Sequence, residues 1–190
     1  MSDLAHETLD RLAAIFAARG LRWYLFGAQA VNLHGHPRQT ADLDVTVELG
    51  DAPVRPFLDA LAEAGFKGKF TLDDEFIRRA RVIPLIDTHD ELPVDLVLSG
   101  PGLEEQFLSR AEQMTVGGGV YPVICLDDLL IAKVLAGRGK DLDDALALLR
   151  ARRGAFKREA IIATLRLLEQ AIDSSDLVRQ FEALEAKAAR

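Results

Sequence analysis

The sequence predicts an α+β chain in which helices and strands alternate to about residue 125 and helices follow almost without interruption. Three observations lead there. Leu9, Leu12, Ile15 and Phe16 recur at helical spacing before Gly20. Short apolar runs at residues 23–26, 43–49, 81–87 and 93–98 are bounded by glycine, proline or polar turns, as strands are. Beyond Leu126 the apolar residues fall at helical spacing to the last residue, with breaks at Gly137-Arg138-Gly139 and near Gly154. The boundary near residue 125 separates an α/β core, residues 1–125, from a helical region, residues 126–190.

In chain order, residues 3–19 form a helix that Ser2 or Asp3 caps, with Leu4 facing inward, and Gly20 ends it. A buried strand at 23–26 leads through Gly27 into a short helix at 28–33. Residues 34–41, with Gly35, Pro37 and Thr40, are a loop, and residues 43–49 are a strand. Pro53 precedes a helix at 54–64 that buries Phe57, Leu58 and Leu61. A strand at 66–72 and a helical turn at 73–79 follow. Strands 81–87 and 93–98 are joined by Thr88-His89-Asp90-Glu91. A helix at 103–111 precedes a hairpin around Gly117-Gly118-Gly119.

The composition narrows the function. The 190 residues suffice for one domain with a substantial core, or one domain and an appendage. No apolar run approaches the roughly 20 residues of a membrane span. The first residues, MSDLAHETLDRL, are charged and amphipathic and lack the apolar stretch of a signal peptide. Cys125 is the single cysteine, so an internal disulfide is excluded and a cytoplasmic setting is expected. A net charge of −7 argues against tight, non-specific nucleic-acid binding while leaving a local basic groove open.

Candidate chemistry centres on Asp42 and Asp44. In a strand, residues i and i+2 share a face, so both carboxylates project together and Leu43 turns the other way. Like charges held close are tolerated where a cation sits between them. Upstream, Gly27 and Ala28 open a helix, where backbone N–H groups can face a phosphate. Asp95 interrupts an otherwise apolar strand, and a charge there is costly unless it is paired or solvent-facing. Three such carboxylates can hold two divalent ions, and an all-oxygen donor set suits Mg²⁺ or Mn²⁺ over Zn²⁺. Asp-x-Asp also occurs on ordinary surface strands, so a site and a solvated edge both remain open from the pattern alone.

The pattern Gly27-Ala28, Asp42-Leu43-Asp44 and Val94-Asp95-Leu96 resembles the DNA polymerase β-type nucleotidyltransferase superfamily. The text GAQAVNLHGHPRQTADLDV is similar to its minimal bacterial branch, which includes AbiEii-like toxins and small aminoglycoside-type adenylyltransferases. The resemblance spans roughly residues 21–148. It implies a short mixed sheet with packed helices and a helical C-terminal region. It also implies transfer of a nucleoside monophosphate from an NTP to an acceptor hydroxyl with release of pyrophosphate. Asp42, Asp44 and Asp95 would then be the catalytic, metal-holding residues, with two Mg²⁺ or Mn²⁺ ions and the NTP as co-substrate. Asp95 would also be placed to take the hydroxyl proton.

Gly27, Ala28, Arg38, Thr40, Lys133 and Asp141 would be the nucleotide- and phosphate-binding residues. Each has a plainer role beside it. Arg38 can instead pair with Asp42 or a nearby carboxylate, and Thr40 can simply stabilise its loop. His34 fits a packed helix end. Lys133 stands alone on an apolar helix face and can snorkel to solvent. Under the resemblance it would neutralise the β- and γ-phosphates, with Asp141 ordering the loop or orienting it. Asp141 and Asp144 also suit a helix N-terminus. The basic run Arg150, Arg152, Arg153, Lys157 and Arg158 can contact RNA phosphates or favour a helix C-terminus. The family usually has Gly-Gly or Gly-Ser where this chain has Gly27-Ala28. That departure supports an alternative: a degenerate copy acting as a nucleotide-binding, partner or antitoxin module. The expected partners are an NTP and an acceptor (a tRNA end, a small hydroxyl compound or a protein), with a cognate antitoxin and a homodimer as further options.

Overall fold

The computed structural model describes residues 3–173 and 175–190. Ser2, expected as a helix cap, and the side chains of Asp3 and Leu4 lie outside this description. The chain forms two compact units: Met1–Gln29 with Gln39–Ile124, and Ala30–Arg38 with Cys125–Arg190.

The first unit is built on a mixed sheet. Its strands are β1 (Trp23–Leu25), β2 (Leu43–Val47), β3 (Phe66–Gly68), β4 (Val82–Asp87), β5 (Pro93–Leu98), β6 (Glu112–Val116) and β7 (Gly119–Val123). Their order across the sheet is β3-β4-β5-β2-β1-β7-β6. The β2–β5 and β1–β7 pairs are parallel and the others antiparallel. Helices α1 (Asp3–Ala18), α3 (Val54–Glu63), α4 (Asp74–Ala80) and α5 (Leu103–Arg110) belong to this unit, and α2 (Gly27–Leu33) begins in it.

Alternation sets the two faces of the sheet. Leu43, Val45 and Val47 on β2 and Val94, Leu96 and Leu98 on β5 are buried together, in register. Phe16 of α1 stacks on Phe57 of α3 and meets Trp23, which ties both helices to the core. Helix α1 stops at Gly20, whose φ is +62°. Gly20 N–H donates to Ala17 and Leu21 N–H to Phe16, closing a Schellman turn. Gly117 and Gly118 both have positive φ, as the two-residue β6–β7 turn requires.

The expected strand at 66–72 is shorter in the structure. It ends at Gly68, where an added Cβ would lie 2.6 Å from the Phe70 carbonyl oxygen, so the chain folds back at once. Lys69 N–H still donates to the Pro84 carbonyl. Pro84, which has no N–H, therefore sits where the edge strand has already run out.

The second unit is helical: α6 (Leu126–Ala136), α7 (Gly139–Ala151), α8 (Arg158–Ile172) and α9 (Leu177–Ala188), with the end of α2 and residues 34–38. Leu130, Val134, Ala145, Leu148, Ile161, Leu165 and Phe181 form its core. Gly137, at φ +63°, ends α6 where the sequence break falls. Among the described residues no helix is long and apolar enough to cross a membrane.

Candidate functional site

In the first unit, register aligns the carboxylates. Asp44 of β2 is the Cα partner of Asp95 on the parallel neighbour β5. Paired residues on adjacent strands project from the same face about 5 Å apart, so these two carboxylates are neighbours. Asp42 lies just before the hydrogen-bonded run of β2, not within it. Its Oδ1 accepts a 2.6 Å bond from Thr40 Oγ1. Thr40 thus fixes the loop that delivers the chain to β2.

Gly27 is required by Asp44. Its φ is +62°, and an added Cβ would stand 1.9 Å from Asp44 Oδ2 and 2.8 Å from Asp44 Cβ. Phe26 N–H donates to the Asp44 carbonyl at 3.0 Å, which locks the turn to the strand. The first turn of α2 thereby lies against the Asp44 carboxylate. Ala28, in that turn, is buried.

Asp95 has a partner that the sequence did not announce. Lys69 Nζ lies 2.7 Å from its Oδ1, and both side chains are about one-third exposed. Lys69 falls inside the run expected to be a strand, so nothing in the pattern marked it.

A second residue missed at the sequence level is Asp87, fully buried at the end of β4. Thr8 Oγ1 donates to it at 2.7 Å, His89 donates through its backbone N–H at 3.1 Å, the His89 ring contacts it at 2.9 Å, and Arg11 pairs with it. Burial by itself would raise this carboxyl's pKa. The hydrogen bonds and the Arg11 charge outweigh it and hold the pKa below the usual carboxylate range. A signal was present: Asp87 shares its alternation phase with the inward-facing Ile83 and Leu85. The cluster pins α1 to the sheet.

The second unit carries its own polar network. Lys133, for which snorkelling and an orienting contact from Asp141 are the two expectations, is buried, and its Nζ lies 2.9 Å from Asp141 Oδ1 and 2.8 Å from Asp144 Oδ2. Helix α7 brings both carboxylates to one face by their i, i+3 spacing. Arg38 Nε pairs with Asp144 at 2.9 Å, and Arg38 N–H donates to Asn32 Oδ1 at 2.8 Å. Arg138 pairs with Asp141 at 2.5 Å. Burial would raise the Asp141 pKa, but Arg138 and Lys133 together hold it below the ordinary value. Three cations thus meet at these two carboxylates. The Arg38 partner is a carboxylate 106 residues away, beyond what local spacing reveals. His34 is buried at the end of α2.

Arg150, Arg153 and Arg158 of the basic run bind within their unit. Arg150 and Arg153 donate to the Lys187 and Ala188 carbonyls at the α9 C-terminus, and Arg158 pairs with Glu182 and Glu185. Cations at a helix C-terminus are favourable, which accounts for Arg150 and Arg153 without RNA.

Among the described residues, no three His, Cys, Asp or Glu side chains form a cluster able to hold a metal ion. The donor chemistry nonetheless fits Mg²⁺. That ion uses one or two carboxylates and completes its shell with water and substrate phosphates, and Asp44 and Asp95 supply such a pair.

No protein-family profile and no curated protein sequence matches the chain. Solved structures do. The antibiotic-resistance factor ANT(2'')-Ia, in solution, aligns with a TM-score of 0.61 at 14% identity, over 90% of this chain and 97% of that one. The lincosamide antibiotic adenylyltransferase LnuA, lincomycin-bound, aligns with a TM-score of 0.52 at 13% identity, over 75% and 94%. A nucleotidyltransferase-like protein from Paracoccidioides brasiliensis aligns with a TM-score of 0.53 at 16% identity, over 96% and 94%. The chain has the nucleotidyltransferase fold.

Proposed function

We propose that this chain is a metal-dependent nucleotidyltransferase, moving a nucleoside monophosphate from an NTP to an acceptor hydroxyl. The observation that carries the proposal is the in-register pair Asp44–Asp95 with the Gly27 turn packed on the Asp44 carboxylate. In the reaction a bond forms between the acceptor oxygen and the α-phosphorus, the bond from that phosphorus to the α,β-bridging oxygen breaks, and pyrophosphate leaves. Asp44 and Asp95, with Asp42, would hold Mg²⁺ or Mn²⁺, whose charge offsets that of the triphosphate. Asp95 accepts the hydroxyl proton. Backbone N–H groups of Gly27 and Ala28 face phosphate oxygens, and Thr40 keeps Asp42 in position. In the helical unit Arg38 is the residue suited to phosphate; Lys133 shares its partner Asp144, and Asp141 holds Lys133.

ANT(2'')-Ia is also known in complex with adenylyl-2''-tobramycin, at a TM-score of 0.58 and 13% identity over 88% of this chain and 98% of that one. Together with lincomycin-bound LnuA, this supports a small hydroxyl compound as acceptor over a tRNA end or a protein. The finer placement in the AbiEii-like toxin branch rests on the GAQAVNLHGHPRQTADLDV text and would add a cognate antitoxin. A degenerate nucleotide-binding, partner or antitoxin module is the second reading. It is favoured by Ala28 in the turn and by the lack of a three-carboxylate cluster among the described residues.

The test is transfer of label from each of the four α-labelled NTPs with Mg²⁺ or Mn²⁺. The acceptors are an aminoglycoside and lincosamide panel, total tRNA and the protein alone, with Asp44→Ala as control. Label on one acceptor class, lost in the control, establishes the reaction. Failure of both transfer and Mg²⁺-NTP binding overturns it in favour of a degenerate partner or antitoxin module.

A further inference from the structure

Four residues lie in one row across the sheet. Asp44 faces Asp95 on β5, Asp95 faces Pro84 on β4, and the Pro84 carbonyl accepts from Lys69 N–H just beyond β3. The Lys69 backbone is therefore anchored two strands, about 10 Å, from that of Asp95. Pro84 between them has only a flat ring, so the lysine side chain spans the gap and its ammonium reaches Asp95 Oδ1 at 2.7 Å. The row reads cation, spacer, carboxylate, carboxylate.

We propose that Lys69 is a positioning residue that serves as the internal counter-cation of Asp95 and competes with a divalent ion for that carboxylate. This rests on the proposed metal-dependent function. Two neighbouring carboxylates repel unless positive charge is near, and the lysine supplies that charge before an ion binds. An ion binding between Asp44 and Asp95 takes over the role and displaces the ammonium, so Lys69 lowers divalent-ion affinity. Removing Lys69 therefore strengthens ion binding, whereas a lysine that merely braced Asp95 in its binding geometry would weaken it when removed.

The test is Mn²⁺ binding to the whole chain without nucleotide, followed by the loss of the free-ion electron paramagnetic resonance signal. Thermal melts in EDTA confirm folding. Lys69→Met is expected to tighten Mn²⁺ about fivefold, in keeping with a partly exposed ion pair worth up to about 1 kcal/mol. Lys69→Arg restores the weaker binding, and Lys69→Met adds nothing in an Asp95→Asn background. Binding that requires Asp95 but is unchanged or weakened by Lys69→Met overturns the role of Lys69 alone. Binding that is absent, or indifferent to Asp95→Asn, overturns both this role and the metal site beneath it.

Discussion

Replacing Gly27 with alanine imposes two separate costs, and Gly20 provides the means to separate them. Both glycines have φ +62°. For any residue with a Cβ the left-handed conformation costs about 1–2 kcal/mol. At Gly20 an added Cβ meets nothing within 4 Å, so Gly20→Ala should cost that backbone amount alone. At Gly27 the new Cβ would lie 1.9 Å from Asp44 Oδ2, 2.6 Å from Cγ and 2.8 Å from Cβ. Rotating the carboxylate away relieves the first two contacts but not the third, so the β2 backbone or the turn must shift. Overpacking of this kind costs about 1–3 kcal/mol more. Gly27→Ala should therefore lose about 2–5 kcal/mol in total, a drop in Tm of roughly 4–20 °C for a chain of this size. Paired urea and thermal melts of the two variants measure the difference. Gly27→Ala should also lose Mn²⁺ binding and nucleotidyl transfer, because Asp44 is displaced. Equal destabilisation by the two substitutions, with Mn²⁺ binding intact in Gly27→Ala, would refute the close packing of turn and carboxylate.

Three further outcomes follow from the structure. Lys133→Met leaves Asp141 and Asp144 buried without their central cation. Breaking such a pair costs about 3–5 kcal/mol, and because Arg38 and Arg138 remain, urea melts should show the lower end of that range. The folded-state pKa of Asp87 is depressed, so its stabilising contribution is complete above the unfolded carboxylate value of about 3.9 and is lost as pH falls through the folded value. Asp87→Asn should accordingly flatten the acid limb of stability against pH, and an unchanged limb would count against the Thr8–Arg11–His89 cluster. Burial pushes the Cys125 thiol up to about 12, so Ellman's reagent should react slowly with native protein and at once in concentrated urea.

Local pattern determined much of this protein without a structure. Apolar periodicity placed the helices and most strands. The paired glycines Gly117 and Gly118 specified a tight hairpin turn, Asp42 and Asp44 stood out as carboxylates two residues apart, and Asp95 because charge is costly in an apolar strand. Such features are legible because they depend on near neighbours in the chain. Tertiary structure alone decided which groups meet. Strand register set Asp44 beside Asp95 and carried Lys69 across Pro84 to reach it. Helix packing buried Lys133 between two carboxylates, where the sequence left exposure and an Asp141 contact both open, and brought Arg38 to Asp144. It also turned Arg150 and Arg153 onto the α9 C-terminus. Those partners lie tens of residues apart, and a side chain's spacing along the chain records its face and phase but not the distant group that the fold brings against it.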